Sequence, residues 1–202
     1  NLAQGFPSFD CSDALQDLVK YYSKGHNQYA PMAGVPVLQI SIAAKTESFY
    51  GISLDANTEV TVVSGATEAI FASIHCCVFP GDEVIIPAPY WTSYPEMVRL
   101  AGGEPVIVET SQKNGWKLTA ENFEEAMTPR TKMLILNSPG NPTGSLYSRA
   151  ELEKIAEIAA AEDIFILSDE IYEKLIYNES EHISIASLSK EIQALTIVVN
   201  GF

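Results

Sequence analysis

Apolar residues recur along this chain in two alternating rhythms. Short runs that are apolar on both sides and bounded by Gly, Pro or Asn predict strands at residues 60–63, 83–86, 106–108, 133–136, 164–167 and 195–199. Helical spacing predicts helices at 12–23, with Leu15, Leu18, Val19 and Tyr22 on one face, and from Pro36 to about Gly51, with Leu38, Ile42 and Phe49 inward. Further helices are expected at 66–78, 92–101, 120–127 and 149–161, the last opening on a capping box, Ser148 and Glu151. Strand and helix alternate from residue 60 onward, so the expected fold is α/β, three-layered, with a mainly parallel sheet and helices on both faces. The turn-rich opening, Gly5 to Asp10, reads as an arm lying over something else. This divides the chain into an arm and helix at 1–34 and a large domain at 35–202.

Charge narrows the range of partners. With 12 basic and 26 acidic residues the net charge is −14, which opposes a general affinity for nucleic acid or anionic membrane. It leaves room for a local anion pocket, because backbone N–H groups at a helix start can hold a phosphate without a lysine. No apolar run approaches the roughly 20 residues of a spanning helix, and the first residues lack the basic-then-apolar order of a signal peptide. Cys11, Cys76 and Cys77 read as reduced core cysteines rather than a disulfide frame, and neither they nor the histidines show zinc-ligand spacing. The expectation is a cytoplasmic protein without a metal.

Four motifs follow predicted strands directly. Ser64-Gly65-Ala66-Thr67 runs into a helix, where the N–H groups of Ala66 and Thr67 could hold a phosphate; the plainer reading is a packed turn, and the pattern fits neither a Walker loop nor a dinucleotide fingerprint. Pro89-Tyr90-Trp91 places an indole where it could cover an aromatic ring, although a core aromatic is the commoner fate. Asn137 to Gly144 is dense in Pro, Gly and Asn, which suits a loop of one shape presenting the Asn141 amide. Finally the apolar run from Ile164 ends in Asp169, with Tyr172 one helical turn beyond; a capping aspartate is the bland alternative. Ligands of open α/β sheets bind outside the carboxyl ends of strands, so all four could touch one molecule.

These motifs, in this order, resemble those of class I/II aminotransferases of pyridoxal-phosphate fold type I, and Gly5-Phe6-Pro7 with Asn27 to Gly34 add two matching N-terminal signatures. The resemblance implies that Ala66 and Thr67 bind the phosphate of pyridoxal 5′-phosphate, that Trp91 stacks on its ring, and that Asn141 and Tyr172 hydrogen-bond its phenolic oxygen. It implies that Asp169 pairs with the ring nitrogen, which keeps the ring an electron acceptor. It further implies that Tyr29 reaches the phosphate of a neighbouring subunit in a homodimer, and that Gly5, Trp91 and Asn141 meet the substrates, an amino acid and a 2-oxo acid. Gln39 stands where an arginine is common in the family, and Gly140 where an Asn is frequent, which touches helix anchoring and loop rigidity.

The family's chemistry also needs a lysine amine. Lys190, in Ser187-Leu188-Ser189-Lys190, superficially matches the family's lysine motif, but it precedes the run 195–199 whereas the family's lysine follows that strand. It is expected to be a solvated surface residue, with the nucleophile beyond Val198-Val199-Asn200-Gly201-Phe202. The motif around Trp91 resembles aspartate-type enzymes, whereas the N-terminal signatures resemble methionine and kynurenine types. Two alternatives use the same scaffold: a pyridoxal-phosphate C–S lyase and a non-catalytic aminotransferase-like sensor domain.

Overall fold

The computed structural model describes Gly5 and residues 7–201. Gln4 and Phe6 of the expected arm, and Phe202, lie outside the described residues. Helices α1 (Asp13–Tyr22), α2 (Pro36–Tyr50) and α3 (Ala66–Cys77) precede β1 (Glu83–Ala88), α4 (Tyr94–Leu100), β2 (Glu104–Glu109) and α5 (Ala120–Ala126). Then come β3 (Thr131–Asn137), α6 (Arg149–Ala161), β4 (Phe165–Asp169), α7 (Lys190–Leu195) and β5 (Thr196–Val199).

The strands form one parallel sheet in the order β2-β1-β3-β4-β5. The chain steps outward from β1 to β2 and then crosses back to β3, so the order reverses between β1 and β3. That reversal opens a crevice at the strands' carboxyl ends, the place where such sheets bind ligands.

Alternate residues of each strand feed two separate cores. Ile85, Leu134, Leu136 and Ile166 pack with Phe123 of α5, with Leu152 and Ile155 of α6 and with Ile192 of α7. Val84, Ile86, Met133, Ile135 and Leu167 point the other way, against Ile70 and Ile74 of α3 and Met97 and Val98 of α4. Both faces are therefore apolar, and the three-layer α/β arrangement expected from the sequence is present. Each buried Ile or Leu contributes about 1.5–3 kcal/mol, so the sheet is the rigid body on which the loops stand. The capping box of α6 is complete: the Ser148 hydroxyl accepts from Glu151 N–H, and the Glu151 carboxylate accepts from Ser148 N–H.

Three expectations are corrected. Residues 60–63 belong to no strand: Val62 N–H donates to the Ala33 carbonyl (2.9 Å), and the Val60 carbonyl accepts from Gln39 Nε2 (2.7 Å). Gly34 makes that approach possible, since a Cβ there would lie 2.7 Å from Val62 Cγ2. Cys11 and Cys76, expected in the core, are exposed, and Cys77 is half-buried. On α1 the apolar residues share one face as expected, and Leu15, Leu18, Val19 and Tyr22 are all more than half accessible because no described element of this chain packs against them. In α2, Phe49 points outward at 60% exposure, while Leu38 and Ile42 are half-buried and Gln39 is buried. Gln39, where an arginine is common in the family, thus anchors the helix by its amide.

Candidate active site

Asp169 is the last residue of β4, and the register sets it beside Asn137 at the end of β3 and Val199 at the end of β5. Its side chain is buried, with 4% exposure. Tyr94 OH donates to Oδ2 at 2.5 Å and Ile171 N–H to Oδ1 at 3.2 Å. Among the described residues no Lys, Arg or His forms an ion pair with it. Burial pushes its carboxyl above the usual carboxylate range, the hydrogen bonds from Tyr94 and Ile171 oppose this, and the neighbouring charge of Glu170 adds to the rise. A buried carboxylate without a counter-ion is one a cationic ligand would stabilise.

Tyr94 connects the motifs. Burial and the adjacent Asp169 raise its phenol, so it stays a donor, and its ring meets Trp91 edge-to-face with centroids 5.4 Å apart. Asp169, Tyr94 and Trp91 are therefore contiguous. On the other flank, Asn137 Nδ2 donates to the Asp169 carbonyl (2.9 Å) while its Oδ1 accepts from Asn141 N–H (2.7 Å). Asn141 Nδ2 in turn reaches Tyr172 OH at 3.4 Å. The loop after β3 and the turn after β4 thus present an amide and a phenol to the same space.

The start of α3 closes the arrangement. Gly65 has φ 87° and ψ 165°, and no side chain caps the helix. Ser64 N–H is taken by the Glu68 carboxylate (2.5 Å), but the N–H groups of Ala66 and Thr67 have no acceptor among the described residues. Ala66 and Ala69, like Trp91, pack on the core cluster that includes Tyr94 and Val199, which brings this helix start to the same edge of the sheet. Uncapped amides, an uncompensated carboxylate and an aromatic wall fit a ligand that is anionic at one end, cationic at the other and flat between.

Of the residues singled out in the sequence, Ala66, Thr67, Trp91, Asn141, Asp169 and Tyr172 gather along one edge. Tyr29 does not join them: it is fully exposed. Gly5 is also exposed, and a Cβ built there would meet nothing within 4 Å. Lys190 sits at the first turn of α7, exposed and bonded to Gln193 (2.9 Å), before β5 begins. Sequence reasoning missed Tyr94 and Asn137. A signal existed for Asn137, which like Asp169 is the polar end of an apolar run, whereas nothing in the sequence joins the Tyr94 hydroxyl to Asp169.

One consequence concerns stability without ligand. Asp169→Asn is expected to stabilise the cofactor-free full-length protein by about 1 kcal/mol at neutral pH, since the amide can accept from Ile171 N–H and donate to the Tyr94 hydroxyl. Because folding raises the carboxyl above its unfolded value of about 3.9, the wild type loses stability as pH rises from there through the raised value. The variant's advantage should therefore be full at neutral pH and vanish in acid, as thermal midpoints across pH will show.

A parallel sheet covered on both faces, with polar residues collected at its switch point, defines the α/β fold shared with pyridoxal-phosphate-dependent aminotransferases of fold type I. The chain belongs to the aminotransferase class I and II family, whose pattern matches residues 1–202. It is 44% identical over 201 residues to an aspartate aminotransferase of Geobacillus stearothermophilus, covering 99% of this chain and 51% of that protein. It is 42% identical to an aspartate/prephenate aminotransferase of Thermus thermophilus, with the same coverage of 99% and 51%. Among solved structures, an aromatic aminotransferase from Pyrococcus horikoshii superposes with a TM-score of 0.96 at 38% identity, covering 100% of this chain and 54% of that one. The chain spans about half the length of the curated relatives it matches.

Proposed function

We propose that the complete protein is a pyridoxal-phosphate-dependent aminotransferase that moves an amino group from an L-amino acid to a 2-oxo acid, and that residues 35–202 belong to its large, cofactor-binding domain. The observation that carries this reading is the buried, uncompensated Asp169 joined through Tyr94 to Trp91. When bound, pyridoxal 5′-phosphate supplies a conjugated ring that accepts the electrons left when the substrate loses a proton. Asp169 is suited to hold a proton on the ring nitrogen, Trp91 to cover a ring face and exclude water, and Asn141 and Tyr172 to donate to the phenolic oxygen. Ala66 and Thr67 would receive the phosphate on their N–H groups, with the Thr67 hydroxyl beside them.

The reacting amine is assigned to a lysine following β5, as the family pattern implies; Lys190 precedes that strand and is engaged elsewhere. Tyr29 and the exposed faces of α1 and α2 favour a homodimer with shared active sites, residues 1–34 acting as the arm and Gly5 meeting substrate. No helix among the described residues is long and apolar enough to cross a membrane. The free thiols of Cys11, Cys76 and Cys77 support a cytoplasmic setting. Relatives named as aspartate, aspartate/prephenate and aromatic aminotransferases support an aspartate or aromatic donor over the methionine type.

The test is a visible absorption spectrum of the full-length protein loaded with pyridoxal 5′-phosphate. Adding L-aspartate or L-phenylalanine should collapse the band, and 2-oxoglutarate should restore it. A band that no amino acid alters would contradict the reading, and release of pyruvate and ammonia from cystathionine without an acceptor would favour the lyase.

A further inference from the structure

The turn that carries Asp169 and Tyr172 to the site is held from behind by two buried glutamates. Glu170 accepts from the Ser168 and Ser184 hydroxyls (both 2.8 Å) and pairs with His182 Nε2 at 2.9 Å. Glu173, 5% exposed and adjacent to Tyr172, receives donors from two distant segments. Lys45 Nζ of α2 lies 2.5 Å away, Tyr50 OH at the end of α2 donates to its other oxygen, and Asn200 Nδ2, just past β5, lies at 2.6 Å. Burial pushes the Glu173 carboxyl up, but the bonds from Lys45, Tyr50 and Asn200 outweigh it and hold it below the usual range, so it is an anion at neutral pH. The Tyr50 ring also stands edge-on to His182, centroids 5.8 Å apart, which ties the two glutamates into one assembly.

Other attachments of α2 are sparse, since Gln39 is its one buried residue. Glu173 is thus the atom-level meeting point of α2, the turn after β4 and the exit of β5. We propose that Glu173 is a positioning residue: without touching the ligand, it sets where the Tyr172 hydroxyl stands relative to Asn141, and so governs how tightly the site holds its cofactor. A backbone turn with one free side chain and one tethered neighbour moves when the tether is cut, and hydrogen bonds to a buried charge are the strong ones.

This rests on the pyridoxal-phosphate reading, and a double-mutant cycle separates the two. The affinity of the full-length protein for pyridoxal 5′-phosphate is measured by tryptophan fluorescence quenching in the wild type, Tyr172→Phe, Glu173→Gln and the double variant. Glu173→Gln should weaken binding about tenfold, but less than twofold when Tyr172 is already Phe. Equal losses in both backgrounds, or no loss in either, would overturn the proposal. Should Glu173→Gln not fold, Tyr50→Phe removes one donor only and is expected to show the same dependence on Tyr172 with a smaller loss; losses independent of Tyr172 would again overturn it. A wild type that takes up no pyridoxal 5′-phosphate sinks the functional reading and this proposal with it, whereas a normal wild type with additive losses sinks the proposal alone.

Discussion

Replacing Asp169 by alanine in the full-length protein is expected to lower kcat/KM for amino-group transfer by about 1,000-fold, with a much smaller change in cofactor affinity. The reason is the separation of binding from electrostatics along this edge. Of the two carboxylates at the end of β4, Asp169 has no counter-ion among the described residues, whereas its neighbour Glu170 is taken up by Ser168, Ser184 and His182. No described residue could replace its charge beside a ring nitrogen. A carboxylate acting where water is excluded is worth far more than one at the surface. The groups that would grip the ligand elsewhere, the α3 amides and Trp91, are untouched by the change. Steady-state kinetics and an equilibrium titration with pyridoxal 5′-phosphate check both halves. A loss in kcat/KM below tenfold would remove Asp169 from its assigned role.

The second large effect belongs to Gly65. With φ 87° and ψ 165° it occupies a region open in practice only to glycine. A Cβ there would meet nothing within 4 Å, so the obstacle is backbone conformation and not a clash. Gly65→Ala must either bear about 1–3 kcal/mol of strain or let the turn relax. Relaxation re-aims the N–H groups of Ala66 and Thr67, the same groups proposed to hold the phosphate. The expected outcome is a loss of roughly 10- to 100-fold in affinity for pyridoxal 5′-phosphate, with the circular dichroism spectrum of the fold retained. Because this helix start is proposed to hold the phosphate, affinity for pyridoxal without phosphate should change much less. Equal losses for the two ligands would mean that Gly65 acts on the fold rather than on the anion site.

How much of this was legible beforehand depended on where each residue finds its partners. Strands β1, β3 and β4 are apolar on both faces because helices cover both, and such runs announce themselves in one dimension. Residues 60–63 have the same composition, yet composition cannot say whether a neighbouring strand is there to pair with; here Ala33 and the Gln39 amide take the backbone groups instead. For α1 the spacing of Leu15, Leu18, Val19 and Tyr22 correctly marks one face, but not what covers it, and in this chain nothing described does. Helix α7 has six residues, too few for a period to show. Within the site, Asp169 was visible because chemistry follows directly on an apolar run, while Asn137, which ends β3 in the same way, was passed over for the loop beyond it. Tyr94 was not visible, because its significance lies in a hydroxyl reaching Asp169 across 75 positions of sequence.

In the proposed enzyme a buried carboxylate at the end of β4 holds a proton on a pyridine nitrogen. The most direct measurement is the 15N chemical shift of pyridoxal 5′-phosphate labelled at its ring nitrogen, bound to the full-length wild type and to Asp169→Ala. A protonated nitrogen is expected in the wild type at neutral pH and an unprotonated one in the variant. The same shift in both proteins, or an unprotonated nitrogen in the wild type, would contradict this assignment.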